Sequence, residues 1–174
     1  MKATSAILSR EDIHRLLKAT PPLVDNLLDL EQQVQPNGVD LTVKEIDMFS
    51  SPGRIGIRNE TRVLSALSPL VFDGMGNLEL LPGCYLVTCN EIINLPKDIM
   101  ALAKPRSSLL RCGVSVHTAV WDAGYSGRSQ SLLTVYNPQG FRIHKDARFI
   151  QLVFFRLDNK VTVGYKGIFQ GENI

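Results

Sequence analysis

Pro36-Asn37-Gly38-Val39-Asp40-Leu41-Thr42-Val43 reads as a turn running into a strand. Pro, Asn and Gly punctuate the chain, and apolar and polar residues then alternate with the period of two that a pleated backbone imposes. The same punctuation recurs at Ser51-Pro52-Gly53, Asp73-Gly74-Met75-Gly76-Asn77, Leu81-Pro82-Gly83 and Asn137-Pro138-Gln139-Gly140. Between these turns, Tyr85-Leu86-Val87 and residues 132–136 and 150–155 are rich in β-branched, aromatic and aliphatic side chains. Many short strands spaced this way predict an all-β barrel or sandwich, since βαβ units would need helical patterns between the strands.

Upstream the texture is helical. Ser9 followed by Asp12 approximates a capping box, and Glu11 and Asp12 suit the positive end of a helix dipole. Ile13, Leu16 and Leu17 then fall on one helix face, and Pro21-Pro22 stops the helix. Residues 23–30 predict a second short helix. The expected architecture is one domain over residues 1–174, mainly β, with a helical N-terminal segment over 1–34. The polar, glycine-containing end, residues 164–174, is expected to be a flexible lid.

Composition narrows the function classes. A chain of 174 residues with 44% hydrophobic and 21% charged residues is long enough to bury a core without staples. The net charge is only +2, with acids and bases interspersed, which argues against a nucleic-acid polymer or a polybasic membrane contact. Cys84, Cys89 and Cys112 are odd in number and lack Cys-x-x-Cys spacing, so they read as three small buried hydrophobes in a reducing, cytoplasmic setting. No stretch reaches the roughly 18 apolar residues of a membrane span, and the opening residues lack a leader's basic-then-apolar profile.

The polar chemistry concentrates in residues 104–127. Lys104, Arg106 and Arg111, with the hydroxyls of Ser107 and Ser108, can give charge-assisted hydrogen bonds to phosphate oxygens. If residues 107–111 form a short helix, its free N–H groups add to anion binding. On composition alone the same stretch also reads as a solvated surface. Residues 116–127 read as a hairpin, strand then tight turn then strand, with Trp121 at its tip and Asp122 before Ala123-Gly124. An Asp before a turn is often just a turn cap. His14, His117 and His144 are scattered, and His14 and His144 read as surface residues. There is no His-x-Glu with Pro-Cys-x-x-Cys, which excludes the zinc-water deaminase mechanism, and no Walker-type loop.

Four segments in order carry a resemblance. Asn37-Gly38-Val39-Asp40-Leu41, Pro105-Arg106-Ser107-Ser108-Leu109, Trp121-Asp122-Ala123-Gly124-Tyr125-Ser126-Gly127 and Ala147-Arg148-Phe149-Ile150-Gln151-Leu152 resemble the first four motifs of the dUTPase/dCTP-deaminase family. Ile7-Leu8-Ser9-Arg10-Glu11-Asp12-Ile13 is similar to the opening of its deaminases. The resemblance implies a distorted, jelly-roll-like β-barrel and a homotrimer with active sites at subunit interfaces.

It also implies dUTP as substrate, cleaved to dUMP and pyrophosphate, with Asp122 activating the attacking water. Arg106, Ser107, Ser108, Arg111 and Gln151 would contact phosphate. Thr118, Ala119 and Val120 would meet the uracil edge through their backbone, and Tyr125 would pack on the deoxyribose. Tyr165, Lys166 and Gln170 would belong to the lid, although the tail looks more like the deaminases' Tyr-x-x-x-x-Gln-Gly ending. Mg²⁺ would bridge the triphosphate with few or no protein ligands. Asp40 reads as structural.

The sister activity, dCTP deamination alone or bifunctional, needs a glutamate on the strand after the hairpin. Thr134 stands at that position, and residues 123–145 contain no acidic side chain. A catalytically silent nucleotide-binding trimer is the alternative from another class.

Overall fold

The computed structural model describes residues 6–174. The first five residues, which belong to the segment read above for a leader profile, lie outside the described residues. Helix α1 (Arg10–Leu17) starts as its sequence requires: the Ser9 hydroxyl accepts from the Asp12 backbone, and the Asp12 carboxylate accepts from Ser9 N–H. Ile13 is fully buried, and Leu16 and Leu17 pack on the core.

The helix expected over residues 23–30 does not form. Val24–Asp25 is instead strand β1, Asn26 turns the chain with φ of 59°, and helix α2 comes later at Leu30–Gln33, capped by Asp29. Pairing Val24 with Ile93 buries it almost completely, and that long-range partner overrides the weak local helical pattern.

The chain continues through β2 (Val34–Gln35), β3 (Gly38–Phe49), β4 (Leu67–Pro69), β5 (Asn77–Leu80), β6 (Gly83–Cys89), β7 (Ile92–Asn94) and β8 (Ile99–Pro105). A one-turn helix, α3 (Ser107–Arg111), leads to β9 (Val114–His117). Then come β10 (Ser126–Gly127), β11 (Gln130–Val135), β12 (Phe141–His144) and β13 (Arg148–Arg156).

The main sheet is antiparallel, in the order β8-β13-β3-β6-β11-β9, with β2 and β4 added on β3. Because α3 joins the two outermost strands, β8 and β9, the sheet curls into a nearly closed barrel. Smaller sheets, β1-β7-β10 and β5-β12, complete the fold.

Phe149, Phe154, Leu41, Ile46, Leu133 and Ile150 fill the interior. Truncating either phenylalanine to alanine costs about 3–5 kcal/mol in such surroundings.

The alternation read in residues 39–43 does not divide core from solvent, because residues 38–43 are all buried. Its polar members enter interior networks instead. Thr42 donates its backbone N–H and its hydroxyl to the fully buried Glu91, which also accepts from Gln33 Nε2 at 2.6 Å. Burial pushes the Glu91 carboxyl above the usual carboxylate range, while these donors oppose the shift.

The cysteine reading also needs correction. Only Cys89 is interior; Cys84 lies on the outer face of β6 beside Thr134, and Cys112 caps α3 in the open.

Candidate active site

Pro105 ends β8, and Arg106, in extended conformation, caps α3. The Arg106 backbone N–H donates to the Phe149 carbonyl at 3.0 Å, which ties the start of α3 to β13. Buried Leu109 anchors the helix turn, so Ser107, Ser108 and Arg111 stand exposed. The helix read conditionally in the sequence is present, with Arg111 Nη1 donating back to the Ser107 carbonyl.

Arg106 is held from below. Its Nε lies 3.1 Å from Asp40 Oδ2, and Arg148 Nη1 reaches the same oxygen at 3.4 Å. Asp40 is 2% exposed. Burial raises its carboxyl above the ordinary range, and the Arg106 and Arg148 guanidiniums pull it back. One buried carboxylate thus orients two arginines whose side chains stay 32% and 28% exposed. Gln151, on β13, sits in register between Asp40 and Lys104.

The second cluster is built from irregular backbone. Residues 116–127 do not form the expected hairpin: β9 pairs with β11, β10 pairs with β7, and Trp121 forms an isolated bridge to Ala101. Trp121 is therefore buried, with its N–H and carbonyl both bonded to Ala101. An indole is too large an apolar group to leave at a tip when the barrel wall can cover it. Trp121, Ala123 and Tyr125 all point inward, and this leaves Asp122 exposed between them.

Asp122, Ala119, Val120, Tyr125 and Tyr165 border one cavity of about 90 Å³. Ser129 and Gln130, to which the sequence assigned no role, border it too, as do Phe169 and Glu172 of the expected lid segment. A wider apolar cavity of about 510 Å³ adjoins it through Ala119, Gln130, Phe169 and Glu172. Thr118 is not part of this cluster. It borders a separate cavity with Lys104, Ser115 and His117, beside α3. None of Arg106, Ser107, Ser108, Arg111 and Gln151 borders the Asp122 cavity.

The tail folds over this second cluster. Tyr165 N–H donates to the Ala123 carbonyl, and the Tyr165 ring meets Tyr125 edge-on with centroids 5.7 Å apart. Two glycines make the approach possible: a Cβ on Gly124 would lie 2.8 Å from Gly164 Cα. Gln170 accepts from Ser126 N–H and donates to the Gly124 carbonyl. Lys166 is exposed.

The Tyr125 hydroxyl donates to Glu172 Oε1 at 2.7 Å. Burial pushes the phenol well above its ordinary range and also raises the Glu172 carboxyl, which the hydrogen bond from Tyr125 pulls back. Thr134 borders none of this; it lies in β11 between Cys84 and Ser115. Among the described residues, no group of three or more His, Cys, Asp or Glu side chains is placed to hold a metal ion, and no helix is long and apolar enough to cross a membrane.

A barrel with a basic one-turn helix on one edge and an Asp–Tyr loop beneath a folded tail defines the class. The chain belongs to the dCTP deaminase-like family, whose model matches residues 7–157. Within it, the chain is similar to the probable deoxyuridine 5'-triphosphate nucleotidohydrolase of Methanococcoides burtonii, at 49% identity over 97% of this chain and 99% of the relative. The protein of the same description from Archaeoglobus fulgidus is 43% identical, over 97% of this chain and 98% of its own length. Among solved structures, the 2'-deoxycytidine 5'-triphosphate deaminase from Agrobacterium tumefaciens shares the fold, with a TM-score of 0.64 at 23% identity. That match covers 88% of this chain, which spans about half the length of the solved protein, 49%.

Proposed function

We propose that this chain hydrolyses dUTP to dUMP and pyrophosphate in a homotrimer whose active sites lie between subunits. The observation that carries the reading is Asp122. It is an exposed carboxylate at a cavity that also holds Tyr125, and no acidic side chain lies on β11, where the family's deaminases need one. The named relatives, which align over nearly their whole length, support the same assignment.

In this mechanism Asp122 orients a water and takes its proton as the oxygen attacks the α-phosphorus. The bond from that phosphorus to the bridging oxygen breaks, and pyrophosphate leaves. Tyr125 packs against the deoxyribose where a 2'-hydroxyl would clash. Backbone groups at Ala119 and Val120 read the uracil edge, and Thr118 turns instead toward the phosphate side. Arg106, Ser107, Ser108, Arg111 and Gln151 hold the triphosphate, with Asp40 keeping Arg106 aimed.

These five do not border the Asp122 cavity of their own chain, so the phosphates of a nucleotide seated there would meet the same groups of a neighbouring copy. Tyr165, Lys166 and Gln170 form the closing lid over residues 164–174 of a single domain, excluding water as such segments do. Asp122, the exposed carboxylate at the cavity, suits a hard, hydrated cation held mainly by triphosphate and water. Mg²⁺ would accompany the triphosphate and neutralise its charge. Three free cysteines accord with a reducing cytoplasmic location.

Hydrolysis in ¹⁸O-labelled water tests the chemistry: the label is expected in dUMP. Label in pyrophosphate would mean attack at the β-phosphorus and a different role for Asp122.

The deaminase reading draws on the family's description and on the solved neighbour. It requires a proton-moving carboxylate beside the base, and ammonia release from dCTP is its test.

A further inference from the structure

We infer that Glu172 is the positioning residue through which the docked tail fixes Tyr125, and that it thereby sets how strictly the site rejects a ribose. The inference rests on the reading of Tyr125 as the ring packed against the deoxyribose. That ring is clamped from two sides, both supplied by the tail. Tyr165 meets it edge-on at 5.7 Å, and Glu172 Oε1 accepts its hydroxyl at 2.7 Å. The carboxylate is held in place by more than this contact. Gly171 N–H donates to the Ser126 carbonyl at 2.8 Å, and Arg128 N–H donates to the Glu172 carbonyl at 2.9 Å. The backbone on either side of Glu172 is therefore paired to the segment that carries Tyr125.

Gly127 is the third component. A Cβ there would lie 2.6 Å from the Tyr125 hydroxyl oxygen and 3.2 Å from Glu172 Cγ. The hydroxyl and the carboxylate meet only because position 127 has no side chain. Tyr125 is 5% exposed, so losing its acceptor leaves a buried phenol unsatisfied and free to tilt. A steric check works only while the checking group cannot yield, because a ring that gives way by a fraction of an ångström admits one extra oxygen. Tail docking and sugar selection are thus one event, joined at Glu172.

The test compares dUTP with UTP, by pyrophosphate release, in the full-length protein and its variants. Glu172→Ala is expected to lower the preference for dUTP over UTP in kcat/KM by roughly five- to tenfold, the factor that one buried hydrogen bond is worth. Glu172→Gln keeps an accepting oxygen and should restore most of the preference. Tyr125→Phe should relax it to a similar degree, and the Glu172→Ala/Tyr125→Phe double variant should relax it no further. A merely structural Glu172 would lower both substrates' kcat/KM in proportion, with the preference unchanged, and that result overturns the inference.

Calorimetric binding of dUMP and UMP reads the same ratio independently of turnover. If the unaltered protein releases no pyrophosphate yet prefers dUMP, and Glu172→Ala erodes that preference, the hydrolase reading fails while the clamp stands. Equal dUMP and UMP affinity in the unaltered protein overturns the clamp whatever the turnover.

Discussion

The Arg106–Gln151 cluster, proposed to meet phosphate, and the Asp122–Tyr125 cluster, proposed to meet the sugar, are built on different kinds of backbone. Arg106 and Gln151 stand on or beside strands whose register is fixed over many residues, with a buried carboxylate beneath the arginine. Asp122 and Tyr125 stand on a loop held by one bridge at Trp121, two residues of β10 and the returning tail. The first cluster is preset by the barrel, whereas the second is completed by a segment more than 40 residues further along the chain. On the proposed roles, polyanion binding is expected to be nearly independent of the tail, and sugar and base selection to depend on it.

The sharpest separation of the two clusters comes from Asp122→Asn. Asp122 is exposed and supports no packing, so folding should be preserved while pyrophosphate release falls by about 10²–10⁴, the usual contribution of a positioned base. Thermal unfolding alongside a steady-state assay checks both halves of that statement. If the two clusters of one site come from different subunits, mixing Asp122→Asn with Arg106→Ala chains by unfolding and reassembly should regenerate activity that neither variant has. Mixtures as inactive as their components would mean that each chain carries a whole site.

Asp40→Ala should act on the preset cluster. Breaking a fully buried ion pair costs 3–5 kcal/mol in general. Arg106 and Arg148, at 32% and 28% side-chain exposure, can rehydrate, so about 2 kcal/mol is expected in urea unfolding, with a raised KM.

Glu91→Gln should cost less, about 1–2 kcal/mol, because an amide NH₂ would face a donor, either the Thr42 N–H or Gln33 Nε2. Its pH signature is more telling. The folded-state pKa of Glu91 is raised, so its contribution is fully present below the unfolded carboxylate value and is lost as pH rises through the folded one. The glutamine variant should lack that slope in unfolding curves followed upward from about pH 4.

Tyr165→Ala should have the smallest effect on stability, about 1 kcal/mol for a partly buried ring in edge-on contact, and a larger one on KM for dUTP.

Much of this was legible in the sequence, for local reasons. The Ser9 cap, the turns at Asp73 and Asn137, the strand cores at 85–87, 132–135 and 150–155 and the one-turn helix at Ser107 all follow from nearest-neighbour chemistry. What failed depended on distant partners. Val24 pairs with Ile93 instead of continuing a helix, and Trp121 bridges Ala101 instead of capping a hairpin. Thr42, a polar member of the alternation at 39–43, is buried because distant Glu91 accepts its hydroxyl.

Within the candidate site, Asp122, Tyr125, Ala119 and Val120 border one cavity, while Thr118 borders a neighbouring one because the chain crosses from β9 to the barrel wall there. Glu172 belonged to the expected lid segment, but nothing in the sequence pointed to its contact with Tyr125. A glutamate near a glycine in a polar tail acquires meaning only once Gly127 and Tyr125 are beside it.

The most direct measurement is a side-by-side assay with Mg²⁺ of dUTP, dCTP, dTTP and UTP, following both pyrophosphate and ammonia. The expected result is rapid pyrophosphate release from dUTP, little from the other three, and no ammonia from dCTP. Substantial ammonia from dCTP, or pyrophosphate released equally from all four, would contradict the assignment of this site to dUTP hydrolysis.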